Sequence, residues 1–271
     1  MPIRVTVTGA TGRMGLRVIS AVTATRGINV AAATERPRSP GLGKDAGALA
    51  GGAKLGVTVE EDLGLALRRR KTDVIIDFTL PEASVAHMQD AARAKVPIVI
   101  GTTGFEASHL KTIRALAKKI PAILSPNMSV AMNVMFRLAF AASKILGKEY
   151  DAEIVEIHHR MKKDAPSGTA LRLGEEVARA RGVDFGKVAV FERAGMTGER
   201  QDGAIGLQTL RGGDVVGEHT LVFAGTGERF EMTHRANSRD TFAYGAVRAA
   251  QWLVKQKKPG LYDMFDVLGM G

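Results

Sequence analysis

The sequence predicts an α/β protein in which a doubly wound parallel sheet is joined to a second, α+β domain with a mixed or antiparallel sheet. In the first half, short β-branched runs alternate with Ala-rich helical stretches, which is the pattern of a parallel sheet wound by helices. In the second half, several strands follow one another without helices between them, and such consecutive strands cannot extend a parallel sheet that is wound by helices. A length of 271 residues accommodates two modest domains. We therefore expect a first domain of residues 1–128, with residues 240–271 packing back on it, and a second domain of residues 129–239.

The first half contains clear strand and helix patterns. Its loosest stretch, residues 36–56, is rich in Gly, Pro, Arg and Ser and predicts a long surface loop. Pro81 suits the first turn of a helix, where its missing N–H is not needed. The predicted strands are residues 4–8, 28–34, 74–78, 98–100 and 122–125, and the predicted helices are residues 14–25, 81–95 and 106–119.

The second half begins with a long apolar helix over residues 130–146, then a strand over 151–157 and a helix over 168–181. Gly212-Gly213 separates strands 205–211 and 215–223, which favours a hairpin. A further strand, 229–236, follows a Gly-Thr-Gly turn at 225–227. The last helix, residues 242–255, has an apolar stripe that needs a surface to pack on, and the first domain is a suitable one.

Composition restricts the possible functions. The chain carries 38 Lys and Arg against 28 Asp and Glu, a net charge of +10, which suits either nucleic-acid phosphates or small anionic ligands. Aromatic residues are only 5%, which counts against stacking on single-stranded nucleic acid. The absence of Cys excludes disulfides, thiolate nucleophiles and Cys-ligated zinc. No signal-peptide or membrane pattern is visible, so we expect a cytoplasmic protein without a membrane partner.

A glycine-rich segment, residues 9–15, lies between the first predicted strand and the first predicted helix. Its spacing is G-x-x-G-x-x-G, a variant of the dinucleotide-binding turn, in which glycines allow the backbone to approach a pyrophosphate at a helix N-terminus. Glu35 lies twenty residues after Gly15, at the end of the second strand, where an acid can bind ribose hydroxyls. Arg36 follows at once and could meet a 2′-phosphate. These features favour a Rossmann-like nucleotide site and leave NAD against NADP open.

Two further strand ends support this site, because ligands of open α/β sheets bind beyond the carboxyl ends of the strands. Residues 101–104 and 125–128 follow the fourth and fifth predicted strands and carry small and polar side chains able to frame a nicotinamide. Simple strand–helix turns are the alternative explanation for each. The candidate cofactor-binding residues are Gly9, Ala10, Thr11, Gly12, Arg13, Met14, Glu35, Arg36, Gly101, Thr102, Thr103, Ser125, Pro126, Asn127 and Met128.

A second motif, residues 156–170, holds two of the six His residues and three Lys or Arg residues. Ser167 is a good N-cap, which leaves the N–H groups of Gly168 and Thr169 available. Imidazole, ammonium and a helix N-terminus together suit a small dianion with a proton donor at hand. The alternative is a basic solvated loop before an ordinary capped helix. A His-His metal site is disfavoured because only distant carboxylates could complete it, so we expect no metal.

The run His-His-x-x-Lys-x-Asp-x-Pro-Ser-Gly-Thr, from His158 to Thr169, resembles the signature of the 4-hydroxy-tetrahydrodipicolinate reductase family. This family, also called dihydrodipicolinate reductase, serves the diaminopimelate–lysine pathway of bacteria and plants. The resemblance extends over essentially the whole chain. It includes residues 9–15, 35–36, 101–105, 125–128, 195–200, 217–219 and 238–239.

The resemblance implies particular roles for residues of the two motifs. His158 would be the general acid and Lys162 a second proton donor, while His159, Gly168 and Thr169 would bind substrate carboxylates. It also implies NADH or NADPH as cofactor and a homotetramer assembled through the sheets of the second domain. Because cofactor and substrate would lie on different domains, we expect domain closure, with hinges near residues 129–130 and 238–240. The family often has an aromatic residue at the position of Met128, and many members have Ala in place of Ser125.

The implied reaction is hydride transfer to a cyclic imine bearing two carboxylates, with loss of a hydroxyl as water. Another Rossmann-type NAD(P) oxidoreductase acting on a small dicarboxylate is an alternative, although an aspartate-semialdehyde dehydrogenase needs a catalytic Cys that this chain lacks. A non-enzymatic nucleotide-binding or nucleic-acid-binding protein is the other alternative. It predicts salt-dependent binding to DNA or RNA without turnover. We expect no nucleic-acid partner.

Overall fold

The computed structural model describes residues 1–270. By its internal contacts the chain divides into two compact units. The first comprises Met1–Val130 and the chain from Arg239 to residue 270, and the second comprises Ala131–Ser238. The strands are β1 (Ile3–Thr8), β2 (Ile28–Thr34), β3 (Val59–Glu60), β4 (Val74–Asp77), β5 (Ile98–Ile100), β6 (Pro121–Leu124), β7 (Asp151–His158), β8 (Ala189–Val190), β9 (Ile205–Arg211), β10 (Gly217–Gly225), β11 (Glu228–Ala236) and β12 (Gly260–Tyr262).

Most of the long helices begin and end within two residues of their predicted positions. The helices are α1 (Arg13–Ala24), α2 (Ala46–Leu49), α3 (Leu63–Arg69), α4 (Pro81–Ala94), α5 (Ala107–Ala117), α6 (Val130–Leu146), α7 (Gly168–Arg181), α8 (Phe185–Val188), α9 (Asp240–Leu253) and α10 (Met264–Leu268). Within residues 1–270, none of these helices combines the length and apolar character needed to cross a membrane.

The first unit is built on a parallel sheet with strand order β12-β6-β5-β4-β1-β2-β3. Its central strands are buried on both faces, as parallel strands require. Val74 and Ile76 of β4 belong to the core on the side of α1 and α9, whereas Ile75 belongs to the core on the side of α4 and α5. The predicted doubly wound sheet is confirmed. The strand order reverses between β1 and β4, which is where such sheets bind ligands.

Helix α9 contributes a row of small residues to the core that contains β1 and α1. Ala243, Ala246 and Ala249 are fully buried there. The helix also approaches the chain closely at Gly245, where an added Cβ would lie 1.8 Å from the carbonyl oxygen of Met128. The close approach therefore requires glycine at this position.

The second unit contains a mixed sheet of order β11-β10-β7-β9-β8, in which β7 is parallel to β9 and antiparallel to β10. The predicted hairpin at Gly212-Gly213 is wrong, because β7 lies between the two strands that these glycines join. The turn signal is local, while the eight-residue strand β7 pairs along its length with both neighbours. The predicted turn at 225–227 does join the paired strands β10 and β11.

The expected loose loop at residues 36–56 is also wrong in part. Asp45 caps the short helix α2, and its carboxylate accepts hydrogen bonds from the amides of Ala48, Leu55 and Gly56 at 2.8–3.1 Å. Ala46 is fully buried. One carboxylate thus organises a segment whose composition alone indicates a loop.

Helix α7 covers one face of the mixed sheet. Ser167 caps its N-terminus, and Gly182 ends it in the left-handed conformation at φ 67°. The opposite face of the sheet carries apolar side chains open to solvent, with Val155 37% and Leu210 47% exposed. Because side chains alternate along a strand, these residues point away from the face that holds Glu156 and His158.

Candidate active site

The glycine-rich segment forms a tight turn between β1 and α1. Gly9 has a φ of 61°, and the N–H of Gly12 donates to the carbonyl of Gly9 at 2.9 Å. A Cβ on Gly15 would lie 2.0 Å from that same carbonyl oxygen, so no other residue fits there without moving the turn. The backbone geometry suits a dinucleotide pyrophosphate at the helix N-terminus.

Glu35, at the end of β2, is tied to this turn. Its Oε2 accepts from the N–H and the hydroxyl of Thr11 at 3.0 and 2.7 Å, and its Oε1 accepts from the N–H of Arg36 at 2.9 Å. Partial burial acts to raise the pKa of Glu35, but the hydrogen bonds from Thr11 and Arg36 outweigh it and lower the pKa below its ordinary value. An ionised carboxylate therefore lies beside the turn.

The predicted cofactor segments meet along one edge of the parallel sheet, where the carboxyl ends of four strands lie. Main-chain hydrogen bonds connect the ends of neighbouring strands, β1 with β2, β4 with β5 and β5 with β6. They run from Ala10 N to Thr34 O (3.0 Å), from Gly101 N to Asp77 O (2.9 Å) and from Ser125 N to Ile100 O (3.3 Å).

Four of the predicted cofactor residues have side chains that point into the protein instead of lining this edge. Ala10, Thr102, Ser125 and Met128 are each at most 5% exposed. A residue that follows a strand can complete the core beneath it, and the assignment of these four residues to cofactor binding stays a prediction. Arg13, Arg36, Thr103 and Pro126 are exposed at this edge.

Sequence reasoning missed the buried carboxylate Asp77, which ends the otherwise apolar strand β4. Its oxygens accept from Thr8 Oγ1 at 2.5 Å, Thr79 Oγ1 at 2.8 Å and Thr102 Oγ1 at 3.2 Å, and from the hydroxyl of Ser84. His87 Nδ1 of α4 lies 2.9 Å away. Burial acts to raise the pKa of Asp77, but these partners hold it below its ordinary value. A single Asp closing an apolar strand is the signal that could have indicated it.

The second motif places His158 at the end of β7 with Glu156 on the same face. His158 Nδ1 lies 2.5 Å from Glu156 Oε2. Arg211 of β9 binds both carboxylate oxygens, at 2.8 and 3.0 Å, and the Ser167 N–H donates to Oε1 at 2.9 Å. Burial acts to raise the pKa of Glu156, yet the hydrogen bonds of His158, Arg211 and Ser167 lower it to about 2. This partner was missed, although the two-residue strand period indicates it.

His219 of β10 lies opposite Glu156 in the sheet register. Its ring meets that of His158 edge to face, with centroids 5.2 Å apart, and its Nε2 is 3.0 Å from Ser167 Oγ. Burial, together with the neighbouring charge of His158, lowers the pKa of His219 to about 3. His219 is therefore neutral at physiological pH and adds no second charge beside His158.

The substrate-binding residues predicted from the motif lie at or near the N-terminus of α7. Ser167 Oγ accepts from the Ala170 N–H at 3.1 Å, and Gly168 is exposed, with no atom within 4 Å of the position a Cβ would take. Thr169 is 8% exposed, and His159 is half-buried with its N–H donating to the Val215 carbonyl at 2.7 Å. The first residue of α7, Gly168, is therefore exposed to solvent at the N-terminus of the helix.

Lys162 is held by a neighbour in this structure. Its Nζ lies 2.8 Å from both oxygens of Asp164. Partial burial acts to raise the pKa of Asp164, but the ammonium group outweighs it and lowers that pKa. The charge of Lys162 also contributes to lowering the pKa of His219, so it lies near the His cluster.

The cluster of Glu156, His158 and His219 brings three metal-binding atoms within 4.8 Å of one another. The reason given above against a metal, that only distant carboxylates are available, is therefore wrong for Glu156. The carboxylate is nevertheless engaged by the guanidinium of Arg211 through both oxygens. A cation already balances its charge, and the donor set suits a proton-handling pair better than a metal.

A dinucleotide-binding turn on a parallel Rossmann-type sheet, with a second unit carrying a carboxylate–histidine pair beside a helix N-terminus, defines a two-unit nicotinamide-dependent oxidoreductase. Comparison with known proteins narrows this class. Residues 3–128 match the family described as "Dihydrodipicolinate reductase, N-terminus", and residues 131–268 match "Dihydrodipicolinate reductase, C-terminus". The chain belongs to the dihydrodipicolinate reductase family.

Individual relatives agree with this assignment. The chain is 55% identical over 267 residues to the 4-hydroxy-tetrahydrodipicolinate reductase of Anaeromyxobacter dehalogenans, covering 98% of each chain. It is 51% identical, with the same coverage, to that of Syntrophus aciditrophicus. The solved structure of dipicolinate-bound dihydrodipicolinate reductase from Paenisporosarcina sp. TG-14 is similar at a TM-score of 0.75 and 25% identity, over 98% of this chain and 99% of that one.

Proposed function

We propose that this protein reduces 4-hydroxy-tetrahydrodipicolinate to tetrahydrodipicolinate with NADH or NADPH, in diaminopimelate and lysine biosynthesis. The hydroxyl and one ring hydrogen of the substrate leave together as water, and the unsaturated ring gains a hydride at C4 and a proton. The observation that carries the proposal is the family signature, His158 to Thr169, folded so that a His–carboxylate pair stands beside a capped helix N-terminus. That arrangement supplies a proton donor and an anion site together.

The first unit would hold the cofactor, which supplies the hydride when bound. In this proposal the turn between β1 and α1 takes the pyrophosphate, and Glu35 accepts from the adenosine ribose hydroxyls. The exposed guanidinium groups of Arg13 and Arg36 lie where they can neutralise phosphate charge. The remaining contacts are proposed for Gly9, Ala10, Thr11, Gly12, Met14, Gly101, Thr102, Thr103, Ser125, Pro126, Asn127 and Met128, with the buried members acting through backbone and packing.

The second unit would bind the substrate and deliver the proton. His158 is proposed as the general acid, and Lys162 as a second donor. His159, Gly168 and Thr169 are proposed to bind the substrate carboxylates, where helix N–H groups and cationic side chains offset the two negative charges. Charge that develops in the ring during hydride transfer is stabilised by the same groups.

The direct test is a coupled assay. Dihydrodipicolinate synthase, pyruvate and aspartate semialdehyde generate the substrate, and the absorbance of NADH or NADPH is followed in separate reactions. We expect cofactor oxidation that depends on both the synthase and this protein. No oxidation with either cofactor, under saturating substrate, contradicts the proposal. A reaction lacking the synthase serves as the control for nonspecific oxidase activity.

We also propose that the protein is a cytoplasmic homotetramer assembled through the open face of the mixed sheet. Val155 and Leu210 expose apolar surface there, and a sheet face of this kind needs cover. A chain without Cys needs no oxidising compartment to fold. Sedimentation of the wild-type chain should give about four times the 28.9 kDa protomer mass, and Val155→Lys should lower it. A monomer at micromolar concentration contradicts this proposal.

A further inference from the structure

We infer that Glu156 is a positioning residue that fixes the orientation and tautomer of His158, with Arg211 holding Glu156 in place. The inference deepens the proposed function and rests on it, because it assigns a role within the proposed proton-donation step. In this role Glu156 does not contact a ligand itself. Glu156 acts through His158, whose ring it contacts at 2.5 Å.

The direction of the contact determines which nitrogen of His158 can serve the substrate. An ionised carboxylate only accepts hydrogen bonds, so Nδ1 carries the proton that faces Glu156. The other nitrogen, Nε2, is then the one that exchanges a proton with a ligand. A Cβ on Gly217 of β10 would lie 2.9 Å from Nε2, so glycine at this position leaves that nitrogen unobstructed.

Glu156 itself has no freedom to rotate away. Arg211 lies beside His158 in the parallel register of β7 and β9 and grips both carboxylate oxygens. Ser167 N–H occupies a further acceptor position of Oε1, and Thr209 Oγ1 approaches the same oxygen at 3.3 Å. With donors on both oxygens, the carboxylate plane is fixed, and the ring of His158 is fixed with it.

The same carboxylate connects the proton donor to the anion site. Ser167 donates its N–H to Glu156 while its hydroxyl caps α7, where the substrate carboxylates are proposed to bind. A single side chain therefore sets the relative positions of His158 and the helix N-terminus. Glu156→Gln removes the charge but keeps an acceptor oxygen. We expect it to disturb the orientation of His158 more than substrate binding at the N-terminus of α7.

The charged and titratable groups near His158 come from several elements of the second unit. The groups that face the cluster are Glu156 of β7, Arg211 of β9, His219 of β10, His234 of β11 and Lys162 of the following loop. Arg211 balances the Glu156 carboxylate, and His219 is neutral.

A buried ion pair can also serve stability alone, and the chain provides a matched control for that role. Glu176 of α7 has a side chain only 1% exposed and contacts two arginines, Arg172 at 2.7 Å and Arg179. It lies in the second unit, as Glu156 does, and both of these ion pairs are with arginines instead of a histidine. Glu176→Gln therefore removes a comparable buried carboxylate without touching His158.

The kinetic test measures kcat, KM and the pH profile of Glu156→Gln and Glu176→Gln in the coupled assay. For Glu156→Gln we expect kcat to fall at least about tenfold, with KM changed by less than about threefold and a displaced pH profile, as loss of an acid's orienting partner predicts. For Glu176→Gln we expect kcat within about twofold of the wild type. An unchanged kcat and pH profile for Glu156→Gln overturns the inference.

A second readout separates this inference from the proposed function. Nitrogen-15 NMR of labelled histidine, with the His158 signals identified by their loss in His158→Gln, reports the tautomer without any turnover. For neutral His158 we expect the Nδ1–H tautomer in the wild type and a mixture of the Nδ1–H and Nε2–H tautomers in Glu156→Gln. Identical spectra overturn the inference even if the enzyme is active. Wild-type chain without activity but with the expected tautomer contradicts the proposed function only.

Arg211→Lys provides the variant to use if Glu156→Gln does not fold. Lysine keeps the positive charge but replaces the planar fork of two nitrogens with a single nitrogen, so it loosens Glu156 while leaving the pair with His158 possible. We expect a smaller fall in kcat, about threefold to tenfold, and partial loss of the single tautomer. A folded Arg211→Lys variant with wild-type kcat, pH profile and tautomer contradicts the inference.

Discussion

The two units each contain one buried carboxylate that contacts a histidine, and the two sites differ in what else surrounds the acid. Asp77 in the first unit and Glu156 in the second both have fully buried side chains. Asp77 lies 2.9 Å from His87 Nδ1, and Glu156 lies 2.5 Å from His158 Nδ1. The remaining partners of Asp77 are hydroxyl groups, whereas Glu156 is bound by a guanidinium and a backbone amide.

The hydroxyl partners of Asp77 come from separate segments of the first unit. They connect β1, the end of β4, the first turn of α4 and the loop after β5 through Thr8, Thr79, Ser84 and Thr102. This arrangement holds the carboxyl edge of the sheet together. The Asp77 carboxylate is bound by hydroxyl groups and His87 instead of a guanidinium, and this set of partners suits a purely structural role.

Glu156 has a different chemical setting. Arg211 balances its charge independently of His158, so the imidazole can change protonation while the carboxylate stays paired. We propose that the two similar acid–imidazole contacts serve two purposes, one for holding strands and one for presenting a proton donor. Variants at each site test this distinction.

The largest effect is expected for His158→Gln, which removes the proposed proton donor but keeps a side chain of similar size. We expect kcat to fall about 10³-fold, because general acid catalysis contributes on the order of 10²–10⁴. The thermal unfolding midpoint should change little. Steady-state kinetics with saturating cofactor measures the effect, and a kcat within a factor of two of the wild type contradicts the assigned role.

Asp77→Asn should act mainly on stability. Asn keeps only one acceptor oxygen for the buried hydroxyl groups that bind Asp77, so we expect a loss of about 3 kcal/mol in the free energy of unfolding of the first unit. The loop after β5 should loosen, and the KM for the cofactor should rise. Urea titration measures the loss.

The control for Asp77→Asn is Asp90→Asn on the same helix as His87. Asp90 pairs with the exposed Arg93, and such surface pairs contribute roughly 0–1 kcal/mol. Equal destabilisation by the two substitutions would show that the buried network around Asp77 has no special role.

A smaller effect concerns the pH dependence of stability, which depends on His219. In the unfolded chain this His takes up a proton below its ordinary pKa of 6.5, whereas the folded protein holds it neutral down to about pH 3. Stability from this group is therefore complete above pH 6.5 and is lost as the pH falls towards 3. Between pH 6.5 and 5, His219→Gln should reduce the slope of unfolding free energy by up to about 1.4 kcal/mol per pH unit.

This pH window avoids interference from Glu156, whose pKa of about 2 in the folded protein affects stability only below its ordinary value of 4.5. Denaturant titrations at several pH values measure the slope. A variant with the wild-type slope contradicts a neutral, buried His219.

The smallest effect is expected at Glu35, a carboxylate that is only partly buried and has no histidine partner. Glu35→Gln keeps an acceptor for Thr11 but loses the charge-assisted hydrogen bonds proposed for the ribose hydroxyls. We expect the KM for NADH to rise about fivefold with kcat unchanged, the equivalent of roughly 1 kcal/mol. An unchanged KM for both NADH and NADPH argues against ribose binding by Glu35.

The fold was predictable where its signals are local. Strand–helix alternation and the G-x-x-G-x-x-G turn indicated the parallel sheet, and Ser167 indicated the start of α7, because caps and periodicity are encoded by near neighbours. The hairpin at Gly212-Gly213 was predicted wrongly since pairing with β7 depends on residues about fifty positions earlier.

The site was predictable to a similar extent. The motif was predicted as a loop that ends at a helix start, whereas the structure extends β7 to His158, and the role of that residue stays a proposal. The Asp77 network was not predictable, because His87 and Thr102 lie ten and twenty-five positions further along the chain and reach Asp77 only in the folded protein. Arg211 likewise meets Glu156 only through the register of two parallel strands.

The contrast between the two carboxylates is tested most directly by measuring kcat and the unfolding midpoint of Glu156→Gln and Asp77→Asn side by side. We expect Glu156→Gln to have the lower kcat, by at least about tenfold, and Asp77→Asn to have the lower unfolding midpoint with near wild-type kcat at saturating cofactor. If Asp77→Asn loses as much kcat as Glu156→Gln while both remain folded, the two acids do not have the separate roles assigned to them.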